Sequence, residues 1–121
     1  MENKISENYS KNMQRIIETD GLISMTKIYE DYGRPKYKSP RRYLSYKRNK
    51  EQVEYAIYES GYQIEKVIQY TPDDILVSGT IAMSYLNQLD VKSYFHYYYG
   101  DNGIFKNGIS GLEFFDKWIK E

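Results

Sequence analysis

The chain contains no cysteine, which excludes disulfides and thiolate metal sites and makes a reducing cytoplasm the expected compartment. No apolar run approaches the roughly 18 residues that span a bilayer, so no membrane partner is expected. The opening Met1-Glu2-Asn3-Lys4-Ile5-Ser6-Glu7-Asn8 is polar and carries acids, unlike a signal peptide. Net charge is absent as well, with seventeen basic side chains against seventeen acidic ones. The glycines at 79, 100, 103, 108 and 111 form no phosphate-binding loop of the Walker type. There is one histidine, His96, set in the run Tyr94-Phe95-His96-Tyr97-Tyr98, where packing or capping explains it better than catalysis. Asp73, Asp74, Glu65 and Lys66 are close in sequence, but no spacing forces them into a metal-nuclease site. The chain therefore reads as a non-enzyme that takes no cofactor and no metal.

What is present is aromatic and unevenly charged. Fifteen tyrosines lift the aromatic share to 17% and the hydrophobic share is 40%, too apolar for disorder; 121 residues make one domain with a real core. Between Gly33 and Lys50 lie eight of the basic residues and no acid: Arg34, Lys36, Lys38, Arg41, Arg42, Lys47, Arg48 and Lys50. The other 103 residues carry nine bases against seventeen acids, a balance of −8. A positive charge gathered this way steers and holds a polyanion while the acidic remainder stays clear of it. Tyr37, Tyr43 and Tyr46 interrupt the run, and such rings stack on bases or sugars, a use that a merely solvated charged face does not have.

Along the chain, residues 1–13 read as a polar arm, with Ile5, Tyr9 and Met13 spaced for a short helix or left disordered. Arg15 to Glu18 reads as a strand, Thr19-Asp20-Gly21 as a hairpin turn and Leu22-Ile23 as the return. Ser24 caps a helix to about Tyr32 that Gly33 ends in a left-handed conformation. Ser39-Pro40 starts a basic helix to about Asn49, anchored by Tyr43 and Leu44. Asn49 with Gln52 resembles a capping box for a further helix, buried through Val53, Ala56 and Ile57 and stopped by Gly61. Tyr62 to Tyr70 alternates as a half-buried strand, turns at Thr71-Pro72-Asp73-Asp74 and pairs back through Ile75-Leu76-Val77. A helix opened by Gly79-Thr80 and running from Ile81 to Leu89 follows, then one capped by Asp90 from Val91 to Tyr99 and closed by Gly100. Residues 100–121 read as a loop and a final helix, with Ser110 and Glu113 as its capping box, packing on residues 14–99.

The run Asp20-Gly21-Leu22-Ile23-Ser24-Met25-Thr26-Lys27-Ile28 resembles the opening of the KilA-N domain. Gly33-Arg34-Pro35, Pro40 and Tyr43-Leu44 are similar to the next segment of that family, with tyrosine in place of its usual tryptophan. Lys50-Glu51-Gln52-Val53-Glu54-Tyr55, then Gly79-Thr80, Ile81 to Leu86 and Ser93-Tyr94-Phe95, stand where its later helices stand. The likeness runs from about Arg15 to Tyr98; Ser24 replaces a common asparagine, and Asp90-Val91-Lys92 replaces the family's turn. The resemblance implies an α+β, winged-helix-like fold related to the fungal APSES domain, with two short β-hairpins packed against about five helices. It further implies a DNA-binding module of a phage or mobile element, acting as a regulator in bacterial cytoplasm.

On this reading Arg41, Arg42 and Tyr43 enter a major groove, and Lys36, Lys38, Lys47, Arg48 and Lys50 meet phosphates, with Arg34 and Tyr46 also in the binding surface. The expected partner is double-stranded DNA. The Pro72-Asp73-Asp74 tip is at odds with a wing that meets phosphates, because like charges repel. That tip leaves a second reading open, a small inhibitor of a host protein or defence nucleoprotein of the anti-CRISPR kind. The tyrosines at 94, 97, 98 and 99 suit core packing or a homodimer interface.

Overall fold

The computed structural model describes residues 5–100. Among them the fold is α+β: six α-helices and one three-stranded antiparallel sheet. The helices are α1 (Glu7–Glu18), α2 (Met25–Asp31), α3 (Pro40–Ser45), α4 (Lys47–Glu59), α5 (Gly79–Leu89) and α6 (Val91–Tyr99). The strands are β1 (Ile23–Ser24), β2 (Ile68–Tyr70) and β3 (Ile75–Val77), in the order β1-β3-β2. The 101–121 extension lies outside the described residues.

Helix α1 is the short helix, one of the two expectations for the first residues, carried on to Glu18, and it corrects the first expected hairpin. Ser6 caps it by accepting from the Tyr9 amide at 3.0 Å, and Glu7 and Arg15 sit at the ends that the helix dipole favours. Its buried positions Tyr9, Asn12 and Ile16 keep helical spacing straight through the segment read as a strand. Tyr9 is wholly buried and its hydroxyl donates to Asn87 Oδ1 at 2.7 Å, so α1 belongs to the packed domain from its first turn. Without a strand at 15–18, β1 finds its partner elsewhere. Ile23 pairs with Val77 and Ser24 with Leu76, while Ile68, Gln69 and Tyr70 of β2 pair with Val77, Leu76 and Ile75. One hairpin and one added strand thus replace the two hairpins. The alternation from Tyr62 also misleads in part, since Ile64–Lys66 form a 3-10 turn and only Ile68–Tyr70 extend.

Helix α5 is the spine of the core. Ile81, Ala82, Tyr85, Leu86 and Leu89 are buried on it, against Ile23, Met25, Ile28, Val77 and Ile16. Helices α2 and α4 end by the same device. Gly33 (φ 76°) and Gly61 (φ 79°) are left-handed, and so are the next residues, Arg34 (φ 54°) and Tyr62 (φ 65°). The Arg34 amide donates to the Tyr29 carbonyl at 3.0 Å and the Tyr62 amide to that of Ile57 at 2.9 Å, the long bond of a Schellman stop. Each stop turns its second residue outward, an arginine at one end and a tyrosine at the other.

Candidate nucleic-acid interface

The basic segment folds into a loop and two helix starts. The Ser39 hydroxyl accepts from the Arg42 amide at 3.2 Å and Pro40 occupies the first helical position, so Arg41 and Arg42 sit on the exposed first turn of α3. The expected single helix to Asn49 breaks at Tyr46, whose backbone is extended (φ −77°, ψ 138°). Asn49 is the cause. Rather than capping α4 from its N-terminus, it lies within that helix, buried, and its Nδ2 donates to the Tyr43 carbonyl at 2.8 Å. That carbonyl otherwise takes only the long bond from the Tyr46 amide, at 3.4 Å, so Asn49 adds a second donor at the end of α3, where the chain stops and restarts as α4.

That restart places Lys47, Arg48 and Lys50 in the first turn of α4, with no acid there and no side-chain cap on Tyr46. Cations at the positive end of a helix oppose its dipole by roughly 0.3–1 kcal/mol each. The position is unfavourable in the free protein and becomes favourable when an anion is present.

Tyr43 is a correction to the expected binding residues. It is only 4% exposed, packs edge-on against Tyr85 with ring centroids 5.2 Å apart, and its hydroxyl bonds Ser84 Oγ at 2.9 Å and Gln52 Oε1 at 3.3 Å. Burial pushes its phenol up. Its place at the surface is taken by Tyr37, 70% exposed, left-handed (φ 66°), with the Arg42 guanidinium 5.0 Å from its ring centre. Tyr46, half exposed, is the second accessible ring. In sequence, Tyr37 differs from Tyr43 only in standing outside a helical period, which is the one signal that separates them.

The remaining bases fall into three local settings. Arg34 pairs with Glu30 Oε2 at 2.5 Å and lies 6.0 Å from the Tyr29 ring centre. It shares a cavity of about 250 Å³ with Arg41, Asp73 and Asp74. Lys38 reaches the Leu89 carbonyl at 3.5 Å and lines a cavity of about 190 Å³ with Tyr37, Tyr43 and Tyr46. Arg48 stands apart, on the rim of a groove of about 420 Å³ between α4, α5 and α6. Among the described residues Lys36, Arg41, Lys47, Arg48 and Lys50 make no ion pair and no side-chain hydrogen bond.

The acidic tip of the β2–β3 hairpin lies beside Arg34 and Arg41, yet its two carboxylates differ. Asp74 Oδ1 turns inward and accepts from the Thr26 amide at 3.2 Å and the Ile75 amide at 2.6 Å. Burial pushes this carboxyl up, but donation from Ser24, Thr26 and Ile75 outweighs it and holds it below its ordinary value. Asp73 is exposed at the lip. His96 is buried on α6, and among the described residues no three His, Cys, Asp or Glu side chains converge as a metal site. No described helix is long and apolar enough to cross a membrane. Compared with family models, curated proteins and solved structures, the chain matches none.

Proposed function

We propose that this protein binds double-stranded DNA through the loop 33–39 and the first turns of α3 and α4. The observation that carries the reading is the set of seven exposed cations, Lys36, Lys38, Arg41, Arg42, Lys47, Arg48 and Lys50, without a carboxylate partner among the described residues, in a chain whose remainder is acidic overall. Charge that no internal acid neutralises is available to phosphates, and the exposed rings of Tyr37 and Tyr46 offer stacking surfaces beside it. Arg41 and Arg42 are the side chains placed for base edges; Lys36, Lys47, Arg48 and Lys50 suit phosphates. The resemblance to KilA-N domains points the same way, to a regulator carried by a phage or mobile element in bacterial cytoplasm. It acts by occupying DNA and not by catalysis.

The test is duplex binding across a salt series. The logarithm of the affinity should fall linearly with the logarithm of salt concentration, at about −0.9 for each phosphate neutralised. Plasmid incubated with the protein and Mg²⁺ or Mn²⁺ should stay intact. Absence of binding at micromolar protein, or binding indifferent to salt, would refute the reading. It would favour instead a small inhibitor of a host protein, for which the carboxylate of Asp73 beside Arg34 and Arg41 offers a mixed-charge contact.

A further inference from the structure

The outward face of α4 changes character along its length. After Lys50 its exposed positions are Glu51, Glu54, Tyr55, Tyr58 and Glu59, without a cation. Tyr55 and Tyr58 are each 59% exposed and Tyr62 is 70% exposed. Their rings touch in series, at 6.2 Å between Tyr55 and Tyr58 and 5.8 Å, edge to face, between Tyr58 and Tyr62. Ile64 is exposed just beyond them. Single apolar residues on a surface need no explanation, but a contiguous group rimmed by charge marks a contact surface. The Schellman stop fixes the last ring outward, since the Gly61 amide donates to the Tyr58 carbonyl at 3.1 Å and the Tyr62 amide to that of Ile57.

We propose that this patch docks an arginine-rich segment of a partner protein. Glu51, Glu54, Glu59 and Glu65 are all exposed around the rings, and Lys66 is the one cation in the stretch 51–66. That charge repels nucleic acid and complements a basic peptide. A guanidinium can lie flat on a tyrosine while its N–H groups reach a carboxylate, a combination that ammonium groups match poorly. The chain already contains this arrangement in Arg34, which sits over Tyr29 while paired with Glu30. On α4 the Tyr55 hydroxyl bonds Glu59, and Glu54 and Tyr58 are exposed one helical turn apart, so rings and carboxylates stand together there without an arginine. Eleven residues of helix separate Lys47 from Tyr58, about 16 Å, so the patch and the basic face are open to different partners at once.

The experiment is a fluorescence-anisotropy titration of the full chain with a labelled peptide of eight arginines spaced by glycine and serine, beside its lysine counterpart. The arginine peptide should bind at least tenfold more tightly than the lysine one. Tyr58→Ala/Tyr62→Ala and Glu54→Gln/Glu59→Gln should each weaken binding at least tenfold, Tyr58→Phe/Tyr62→Phe should retain binding, and duplex DNA affinity should be unchanged in the tyrosine variants and should not fall in the glutamine one. Equal affinity for both peptides would reduce the surface to net charge and overturn the proposal, as would unaltered binding by the tyrosine-to-alanine variant. Sedimentation showing self-association that Tyr58→Ala abolishes would assign the patch to a second copy, and would also overturn it.

Discussion

The Tyr85 hydroxyl donates to the Lys38 carbonyl oxygen at 2.7 Å, tying the spine of the core to the loop that carries the first of the exposed cations. Tyr85 is almost fully buried, and that burial pushes its phenol far above the ordinary tyrosine range. Its ring also supports Tyr43, so one side chain positions both the loop and α3. The basic loop and the first turn of α3 are thereby held from beneath by side chains that are themselves buried.

Tyr85→Phe tests this support. The ring contact with Tyr43 survives, while the Lys38 carbonyl is deprived of its donor, which should cost about 1–3 kcal/mol in chemical denaturation. Affinity for duplex DNA should fall even though no DNA-facing residue has changed. Affinity equal to the parent's would show that the loop holds its shape without the tie.

Asn49→Ala makes a parallel case one step further along the chain. Asn49 bonds the Tyr43 carbonyl and exchanges hydrogen bonds with the half-buried Gln88 side chain, at 3.3 Å and 3.0 Å, so its removal takes all three bonds away. Stability should drop by about 1–3 kcal/mol. If Asn49 were instead an exposed cap for α4, the drop would stay near 1 kcal/mol and Asn49→Ser would restore it.

The sequence was most legible where local chemistry decides. Ser24, Ser39 and Asp90 cap helices as expected, because each places a side-chain oxygen within reach of a free amide three residues on. Asn49 has the same signature and does something else, because a carbonyl six residues back competes for it, and that geometry is tertiary. The segment 15–18 failed for a related reason. Over four residues a helix and a strand are indistinguishable, and only the period begun at Tyr9 separates them. Of the candidate binding residues, the cations proved exposed as charge requires, whereas Tyr43 was open to two readings, anchor and groove contact, and its burial against Tyr85 fits the anchor.

Acid should loosen the contact between α6 and the N-terminus. Burial pushes the Asp90 carboxyl up, but the Ser6 and Tyr32 hydroxyls, each at 2.7 Å, and the Ser93 amide at 3.1 Å outweigh it and hold it below its usual value. Because the folded value is lower, the unfolded chain takes up a proton first. The stabilisation is complete above the unfolded value of about 3.9 and is lost as pH falls through the folded one. Asp90→Asn should therefore be less stable at pH 7 and lose less stability between pH 5 and pH 2, as measured by urea unfolding. An acid limb as steep as the parent's would place the sensitivity elsewhere.

The sharpest division between fold and function runs through four consecutive residues, Arg41 to Leu44. Arg41 and Arg42 are exposed on the first turn of α3, so replacing both with alanine should leave stability within about 0.5 kcal/mol of the parent. Arg42 gives up its position over Tyr37, an exposed interaction contributing about 0.5–1 kcal/mol at most. Duplex affinity should nevertheless weaken by roughly 1–3 kcal/mol for each base edge that an arginine no longer reads, and by less if only phosphates are met. Tyr43→Ala should do the opposite, costing about 3–5 kcal/mol through the cavity left beneath Tyr85. Leu44 is only partly buried, so Leu44→Ala should fall below the roughly 2–5 kcal/mol of a core leucine. Thermal melts and duplex titrations on the same three variants measure both axes. A double arginine variant that binds DNA like the parent would make the α3 turn a solvated face, leaving Lys47, Arg48 and Lys50 at the start of α4 as the cations to replace next.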